Sequence, residues 1–519
     1  MDIVFTVISL GLLALAGVAL FDLFQRRHSL LRIYPIVGRL RYLLESVGPE
    51  LRQYIVTNNN EERPFSRDQR RWIYASAKQQ NDYFGFGTDN ALDQAENHIL
   101  LRHSAFPLEQ PVAGHPLEVA GYPLPCAKPL GAARGRRRAF RPASLINISG
   151  MSYGALGGPA VAALNQGARL AGCLQNTGEG GISQYHQQGG DLILQIGTGY
   201  FGCRDDQGRF HLGRLRECLA ANPQVKALEI KLSQGAKPGL GGMLPGAKVT
   251  AEIAQARGVP AGQNCVSPAT HSAFSNVDSM LDFVERLGDE TGLPVGIKSA
   301  VGERDFWADL ARQMDRTERG VDFITIDGGE GGTGAAPLAF SDHVALTFKI
   351  GFAQVYRVFL DRGLADRIVF IGSGRLGLPE EAMLALIMGC DMVHLARETM
   401  LSIGCIQAQK CHTGQCPTGI TTHHPWRTRG IDPELKGVRA ANYIIHLRKE
   451  LIRLSRACGQ VHPALVATDR CQMLDAGHVL RSLEHTFGYE KPAFALSEDD
   501  RADITELMER LEPPAAARQ

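Results

Sequence analysis

The sequence lacks an excess of charge of either sign. Its 519 residues carry 55 Lys and Arg against 54 Asp and Glu, a formal net charge of +1. This balance gives no overall attraction to a polyanion, so we expect no nucleic-acid partner. With 44% hydrophobic and 21% charged residues, the composition also excludes an intrinsically disordered chain and indicates one large core with flanking elements.

Cysteine pairs with C-x-x-C spacing are also missing. The 11 cysteines are odd in number and irregularly spaced, which in a chain of this length argues against a secreted disulfide scaffold. We therefore predict a reducing compartment and a few thiols with a chemical role.

Long apolar runs are missing except at the N-terminus, where Ile3–Phe21 provides 19 residues without a charge. A helix of that length spans about 28 Å, enough for the hydrocarbon core of a bilayer. No basic stretch precedes the run, no small-residue cleavage site follows it, and arginines at 26, 27, 32, 39 and 41 come after it. We predict a single-pass anchor in the inner (cytoplasmic) membrane, with the body of the protein in the cytoplasm, rather than a signal peptide. The alternative is a buried or dimer-forming helix.

Short apolar runs, many of them β-branched, recur from about residue 145, with segments of helical pattern between most of them. There are eight: LINI (145–148), CLQN (173–176), LILQI (192–196), ALEIK (227–231), PVGIK (294–298), DFITI (322–326), IVFIG (368–372) and MVHLA (392–396). This alternation is typical of an α/β fold of the (β/α)8 TIM-barrel type, with a doubly wound sheet as the alternative. We divide the chain into a transmembrane anchor (1–22), a linker and N-terminal flanking region (23–140), the barrel with its cysteine segment (141–425) and a C-terminal helical extension (426–519).

Many of the 57 glycines cluster where loops would follow barrel strands, in SGMSYGA, NTGEGG, DGGEGGTG and GSGRLG. Active sites of such barrels form at the carboxyl ends of the strands, and a phosphate site commonly uses the loops after strands seven and eight. Because backbone N–H groups of a glycine-rich turn bind phosphate directly, Gly372, Ser373, Gly374 and Arg375 form a candidate phosphate cradle. The rim therefore predicts a phosphorylated cofactor or substrate.

Three cysteines crowd the segment GCIQAQKCHTGQCPTG (404–419), shortly after the predicted eighth strand. A disulfide would use only two of Cys405, Cys411 and Cys416 and is disfavoured in the cytoplasm. Structural zinc takes four ligands, so His412 would have to complete the set. Iron–sulfur clusters are held by thiolates, and a cubane lacking one iron needs only three. The spacing favours iron–sulfur over zinc and over unligated thiols.

The same segment resembles the cluster-binding segment of glutamate synthases. NTGEGG, EIKLSQGAKPGLGGMLPG, DGGEGGTGAAP and GSGRLG stand in that family's order, so the resemblance covers about residues 140–425. It is specific to the FMN-binding synthase domain. It implies a [3Fe–4S] cluster on the three cysteines and FMN at the top of the barrel.

The resemblance also implies roles for individual residues. The FMN-binding residues are Ser152, Asn176 and Thr177 at the ring, Lys298 beside the reduced flavin, and Gly331, Gly332, Thr333, Ser373, Gly374 and Arg375 on the phosphate side. The catalytic residues are Glu179 and Lys237, and the substrate-binding residues are Gly202, Lys231 and Gln234. The alternatives are a Lys298 that reaches solvent and a Glu179 that only ties down its glycine loop.

Two positions depart from the family's pattern. Tyr200 stands where the family has a carboxylate-binding arginine, and Met243 stands where it has a glutamine. Exchanging a guanidinium for a phenol costs about 1.5–3 kcal/mol of charge-assisted bonding. Arg204 is the candidate replacement for substrate binding. We therefore expect either 2-oxoglutarate or a related keto acid as substrate.

The family's glutaminase domain, which works with an N-terminal cysteine, has no counterpart here, since the first cysteine is Cys126. No dinucleotide-binding domain is recognisable either. The resemblance implies an oxidoreductase that joins a keto acid to ammonia or an amine, and the apolar N-terminal run adds a membrane anchor to this prediction. Its electrons would come from ferredoxin or another redox protein, and a separate glutaminase subunit is one nitrogen source. The alternatives are amine transfer of the N-methylglutamate synthase type and a non-catalytic electron-transfer module.

Overall fold

The computed structural model describes residues 2–54, 62–80, 85–88, 90, 92, 95–489 and 496–512. The strands in these ranges are β1 (Ile99–Leu101), β2 (Ile146–Ile148), β3 (Leu174–Asn176), β4 (Asp191–Ile196), β5 (Val225–Lys231), β6 (Met243–Leu244), β7 (Cys265–Val266), β8 (Val295–Ser299), β9 (Phe323–Asp327), β10 (Val369–Ser373), β11 (Met392–Leu395), β12 (Cys471–Leu474) and β13 (Leu480–Ser482).

The helices alternate with the strands in the middle of the chain. They are α1 (Asp2–Phe24), α2 (Ser29–Ile33), α3 (Val37–Tyr54), α4 (Arg67–Lys78), α5 (Pro116–Val119), α6 (Gly158–Ala171), α7 (Leu212–Ala221), α8 (Ala251–Arg257), α9 (Val277–Thr291), α10 (Arg304–Arg316), α11 (Leu338–His343), α12 (Phe348–Leu360), α13 (Pro379–Ile387), α14 (Arg397–Ser402), α15 (Pro425–Thr428), α16 (Pro433–Ala457), α17 (Leu483–Phe487) and α18 (Glu498–Arg510).

Eight parallel strands close into a barrel in the order β2-β3-β4-β5-β8-β9-β10-β11. Each predicted run falls on one of them, so the (β/α)8 barrel is confirmed and the doubly wound sheet is wrong. The runs were recognisable because strands of a parallel barrel are buried on both faces and read as short, continuous apolar stretches. Every residue of β8, β9 and β10 is buried.

The amino ends of the barrel strands are covered by a segment of the N-terminal flanking region. Lys128 donates to the carbonyls of Ala365 and Ile368 at 2.8 and 3.0 Å and pairs with Asp391, just before β11, at 3.1 Å. Arg136 pairs with Asp322, just before β9, at 2.9 Å. This end of the barrel is therefore closed by buried ion pairs.

The regions that flank the barrel in the sequence pack against each other. Strand β1 pairs antiparallel with β12, and β12 pairs with β13, forming a three-stranded sheet. These two C-terminal strands were not predicted, because the C-terminal segment reads mainly as helix. In the predicted C-terminal helical extension, α16 follows the N-cap Asp432 and packs on α6 and α4.

The N-terminal helix α1 projects from the rest of the structure. Its stretch Val4–Phe24 is long and apolar enough to cross a membrane, and its apolar side chains lie outside the protein interior. The buried Asp22 accepts hydrogen bonds from Arg39 at 2.7 and 3.0 Å and from the Ile36 amide at 3.0 Å. These bonds fix the bend between α1 and α3.

Candidate active site

A cavity of about 480 Å³ opens at the carboxyl ends of the barrel strands. Eight of the residues predicted for the site line it: Lys231, Gln234, Lys298, Gly331, Gly332, Ser373, Gly374 and Arg375. The sequence did not single out the others, which are Ser149, Gly150, Gln195, Asp327, His394, Ala396, Arg397 and Glu398. Several lie on strand ends or beside the glycine motifs, which is the one signal that would have found them.

The predicted phosphate cradle follows β10 and is joined to the glycine loop after β9 by a backbone hydrogen bond. The Gly328 amide donates to the Ser373 carbonyl at 2.8 Å. Gly374 has φ +143°, a conformation open mainly to glycine. The buried Nε of Arg375 has no hydrogen-bond partner among the described residues. A cationic turn with an unsatisfied donor matches what an anionic ligand requires.

A second arginine, Arg397, stands beside Arg375. It donates to the Glu330 carbonyl at 2.6 Å, and a Cβ on Gly332 would come within 2.5 Å of the Arg397 side chain. Both guanidinium groups lie over the ring of Phe65, at 5.4 Å for Arg375 and 5.2 Å for Arg397. Phe65 comes from the N-terminal flanking region, where the sequence indicated no part in the site.

Lys298 is buried at the end of β8 and does not reach solvent as its alternative reading required. Its Nζ lies 3.6 Å from Oδ2 of Asp327, which also accepts a 2.9 Å bond from the Gly235 amide. Burial, reinforced by the charge of Lys298, lowers the pKa of His394 to about 3. His394 is therefore neutral, and its buried Nε2 has no partner within the described ranges.

Asn176 and Thr177 lie in the barrel wall. The Asn176 amide donates to the buried carboxylate of Glu229 at 2.7 Å and accepts from the Gly178 amide at 2.9 Å. The Thr177 hydroxyl donates to the Gly178 carbonyl at 2.9 Å. Both side chains are thus engaged within the protein and are not among the residues that line the cavity, and Ser152 and Thr333 are not among them either.

The substrate-side residues meet at the end of β5. Lys231 Nζ lies 3.2 Å from Oε1 of Glu179 and donates to Oε1 of Gln234 at 3.2 Å. The Gln234 amide in turn donates to the Gly332 carbonyl at 3.2 Å. The group is therefore connected to the phosphate-side loop, and Glu179 contacts a lysine of another strand rather than only its own loop.

Cations surround Glu179. Burial alone would raise its pKa, but Lys231, Lys237 and Arg257 outweigh burial and hold the pKa of Glu179 below its ordinary value. Lys237 is buried, and within the described residues it donates only to the Gly241 carbonyl, at 3.4 Å. Burial together with Lys231 lowers the pKa of Lys237. Arg257 at the end of α8 was missed, because it lies in a sequence without any motif. Three cations against one carboxylate leave charge for an anionic substrate.

Tyr200 does not take the place of a carboxylate ligand. Its buried hydroxyl accepts from the Ala273 amide at 3.1 Å and bonds Nδ1 of His271 at 3.0 Å. His271 Nε2 lies 2.9 Å from the Lys231 carbonyl. Since a carbonyl only accepts, Nε2 carries the proton and the Tyr200 hydroxyl donates to Nδ1. The tyrosine thus positions the strand end that carries Lys231.

The other predicted substrate residues lie beside this group. Arg204 donates to the Gly199 carbonyl at 3.3 Å and stacks over Phe201 at 5.5 Å, and no contact with Glu179 or Lys231 is found for it within the described part of the chain. Gly202, with φ +84°, packs against Gly181. Met243 is exposed on β6.

The cysteine segment lies next to the same rim. The Cβ of Cys411 is 3.8 Å from the position a Cβ would take on Gly334, in the glycine loop after β9. Cys405, Cys411 and Cys416 are near enough for their charges to interact. Across the described ranges, no three His, Cys, Asp or Glu side chains converge to hold a single metal ion.

The surroundings of the three thiols are polar and cationic. Lys248 is buried and donates to the carbonyls of Cys411 and Thr421 at 2.9 and 3.2 Å. Burial opposes ionisation of Cys416, but hydrogen bonds from Thr421 and Thr418 prevail and lower its pKa. Burial raises the pKa of Cys405 to about 12.

Fold and site together define a (β/α)8 barrel with a cationic rim at the carboxyl ends of its strands. Residues 133–461 match the conserved region in glutamate synthase. The chain is 38% identical over 493 residues to the glutamate synthase large subunit-like protein YerD of Bacillus subtilis, covering 87% of this chain and 91% of that protein. The protein belongs to the glutamate synthase family of oxidoreductases, which confirms the resemblance.

A second relative is the archaeal glutamate synthase [NADPH] of Methanocaldococcus jannaschii, 34% identical over 60% of this chain and 59% of that protein. The match therefore spans little more than half of that relative's length. Among solved structures, a mutant flavocytochrome b2 with sulfite bound has a TM-score of 0.41 at 14% identity, over 91% of this chain and 97% of that chain. A similarity this low supports no functional conclusion.

Proposed function

We propose that this protein is a membrane-anchored oxidoreductase, dependent on FMN and an iron–sulfur cluster, that reductively aminates 2-oxoglutarate or a related keto acid. One observation carries the proposal. The phosphate cradle, the Lys231–Glu179–Gln234 group and the cysteine segment all border one rim of the barrel. The hydrogen bond from Gln234 to the Gly332 carbonyl connects the first two, and Cys411 lies beside Gly334 of the same glycine loop.

The residues present fit FMN. The unsatisfied Nε of Arg375, the neighbouring Arg397 and the glycine turn at Gly374 would hold its phosphate. Lys298, with its ammonium inside the cavity, would place positive charge beside the ring. When bound, FMN supplies hydride transfer. The neutral His394 offers Nε2 toward the same space without adding a charge.

The chain's own residues would prepare the keto acid and the amine. Lys231, Lys237 and Arg257 provide cations for the substrate carboxylates. Glu179 stays ionised because these cations lower its pKa, so it would accept hydrogen bonds from the incoming ammonium or amine and orient it. Lys231, held by Glu179 and Gln234, is positioned for both tasks.

The cysteine segment fits a [3Fe–4S] cluster. Three neighbouring thiols, the cation of Lys248 and the hydroxyls of Thr418 and Thr421 surround a place for an anionic thiolate-bound cluster. Such a cluster supplies electrons one at a time. Ferredoxin or another redox protein would donate them, and free ammonia, an amine or a separate glutaminase subunit would supply nitrogen.

The membrane location rests on α1 and on the arginines that follow it. A helix of this length with apolar side chains on all sides fits a single span. The arginines at its end favour a cytoplasmic position for the barrel. Fractionation of cells producing the full chain tests this directly. We expect the protein in the membrane fraction after a high-salt and alkaline wash, and its release by the wash would contradict the anchor.

Anaerobic purification of the full chain tests the cofactors. We expect FMN after acid extraction, about three iron atoms per chain, and flavin reoxidation when a keto acid and ammonia are added to the reduced protein. Cys411→Ser should lose most of the iron and the electron flow from donor to flavin. Cys218→Ser, a thiol on α7, serves as the matched control and should keep both.

The same assay separates the alternatives. Turnover that needs no reductant would favour amine transfer of the N-methylglutamate synthase type. Intact cofactors without reoxidation by any keto acid and amine would favour an electron-transfer module. A protein free of flavin and iron after oxygen-free preparation would contradict the proposal altogether.

A further inference from the structure

A second cavity, of about 560 Å³, lies at the foot of α1. Its walls come from the turn after α1, from α3 and α4, from the N-terminal end of α16, and from the start of the cysteine segment at Gly404 and Cys405. Of its lining residues, the chemistry proposed above uses only Cys405, as a cluster ligand, and leaves the cations of the cavity without a role.

The cavity is strongly cationic. Arg27, Arg41, Lys78, Lys436 and Arg439 line it, with Glu45 as the one carboxylate among the lining residues. Glu45 forms an ion pair with Arg41 at 2.6 Å. None of the other four cations forms an ion pair with a carboxylate in the described ranges. A concave surface with this imbalance attracts an anion.

Among these cations, Lys436 gives the strongest indication of a bound anion. It is 1% exposed, and its Nζ lies 3.1 Å from the position a Cβ would take on Gly404. No hydrogen bond or ion pair is found for this ammonium among the described residues. Burial, with Arg439 and Lys78 nearby, lowers the pKa of Lys436 to about 7. Burying a cation without a partner costs folding free energy. Either Lys436 lowers the stability of the free protein, or an anionic ligand supplies the missing partner.

Ser29 supplies a second unsatisfied group. Its side chain lines the same cavity, and its buried hydroxyl has no hydrogen-bond partner in the described structure. Both Ser29 Oγ and Lys436 Nζ lie within 4 Å of the position a Cβ would take on Gly404. An ammonium and a hydroxyl that converge in this way fit the oxygens of one phosphate group.

Helix α3 places the cavity beside an apolar surface. Val37, Leu40, Leu43 and Leu44 recur at helical spacing and are each more than 50% exposed. Arg41 and Glu45 of the same helix line the cavity instead. A helix with one exposed apolar face and one polar face is typical of a segment that lies in a membrane interface. The cavity would then sit at the depth of the lipid headgroups.

We propose that this cavity binds a phosphate-bearing anion, supplied by the headgroup of an acidic membrane phospholipid. The phosphate would contact Lys436 and Ser29, and Arg27, Lys78 and Arg439 would surround it. The anion site itself stands independently of the function proposed above. Only the lipid source rests on that proposal, through the membrane anchor.

Binding to the purified full chain in neutral detergent tests the proposal by calorimetry. The probes are dioctanoyl phosphatidylglycerol, dioctanoyl phosphatidylcholine and inorganic phosphate. We expect the phosphatidylglycerol to bind most tightly, and Lys436→Met to weaken it about tenfold to a hundredfold, the range of one charge-assisted bond. Lys449→Met, on the same helix over Tyr122, is the matched control and should bind like the wild type.

Stability gives a second readout that a merely structural lysine would not produce. Without ligand, Lys436→Met should melt at the same temperature as the wild type or higher, because it removes an unpaired buried cation. With phosphatidylglycerol, only the wild type and the Lys449→Met control should gain stability. Should Lys436→Met fold poorly, Arg439→Gln provides the same comparison.

The outcomes are distinct. Binding of inorganic phosphate as tightly as the lipid, lost in Lys436→Met, would support the anion site with free phosphate as its ligand. Equal binding of phosphatidylcholine, or undiminished binding by both variants, would overturn the proposal. A chain that leaves the membrane in the alkaline wash yet binds phosphate through Lys436 would contradict the anchor and leave the anion site supported.

Discussion

The two ends of the barrel use buried charge in opposite ways. At the amino ends of the strands, Lys128 pairs with Asp391 at 3.1 Å and Arg136 with Asp322 at 2.9 Å. At the carboxyl ends, Lys237 is just as buried but bonds only a carbonyl, and the Nε of Arg375 has no partner in the described structure.

This difference separates charges that belong to the fold from charges that belong to a ligand. Buried ions are costly unless they are paired, so the first end meets that requirement within the protein. The second end leaves cations in excess, as a site for a phosphate and a dicarboxylate would. Substitutions at the two ends should therefore affect different quantities.

The largest expected effect is on stability at the amino end. Lys128→Met leaves Asp391 buried without its partner, so we expect the free energy of unfolding to fall by about 3–5 kcal/mol. Lys237→Met, a matched buried lysine at the other end, should change it by less than about 1 kcal/mol while lowering activity. Denaturant unfolding of the solubilised protein measures both.

A double variant sharpens this prediction. Lys128→Met combined with Asp391→Leu replaces the ion pair by apolar side chains and should recover much of the lost stability. An additive loss in the double variant would show that the two residues do not act as a pair, and the contrast between the two ends would then fail.

The sequence predicted the fold well because barrel strands carry their signal locally. Runs such as 322–326 and 368–372 are short, apolar and bounded by glycine, and they coincide with β9 and β10 to within one residue at each end. The two C-terminal strands β12 and β13 were missed. Strand β13 pairs with β12, and β12 also pairs with β1, which lies more than 300 residues away in the chain.

The site was predictable only in part, for a related reason. Lys231, Gln234, Lys298 and Arg375 stand in or beside glycine motifs and strand ends, and they line the cavity as expected. Phe65 and Arg257 come from segments without a motif and reach the site through tertiary packing. A pattern in one segment carries no information about a contact of that kind.

The next largest effect concerns activity at the carboxyl end. Lys231→Met removes the cation that contacts Glu179 and Gln234, so we expect kcat/KM to fall about a hundredfold, or about 2.7 kcal/mol. Lys226, at the opposite end of the same strand, pairs with Asp191 near the surface. Lys226→Met should therefore leave kcat/KM within about twofold of the wild type. Equal losses in both variants would show that the strand, not the site, is damaged.

A smaller effect should come from Tyr200, which acts on the site through His271. Tyr200→Phe removes a buried hydrogen-bonding hydroxyl and should cost about 1 kcal/mol of stability, together with a several-fold rise in KM for the keto acid as Lys231 shifts. Tyr489→Phe removes an equally buried hydroxyl, which donates to the Met388 carbonyl near the amino end of β11 at 3.0 Å. It should cost similar stability with an unchanged KM. A change of KM in both would contradict a positioning role for Tyr200.

The smallest effect is the pH dependence of stability that Glu179 contributes. Because Lys231, Lys237 and Arg257 hold its pKa below the ordinary value, its charged form stabilises the folded state above the unfolded pKa. That contribution is lost as the pH falls through the lower pKa of the folded state. Glu179→Gln removes the charge, so wild type and variant should differ most near neutral pH and converge as acid is added. Thermal unfolding from pH 7 down to well below 4.5, the ordinary pKa of this carboxyl, measures this, and a gap that widened toward acid would mean that burial, not the three cations, sets the behaviour of this carboxylate.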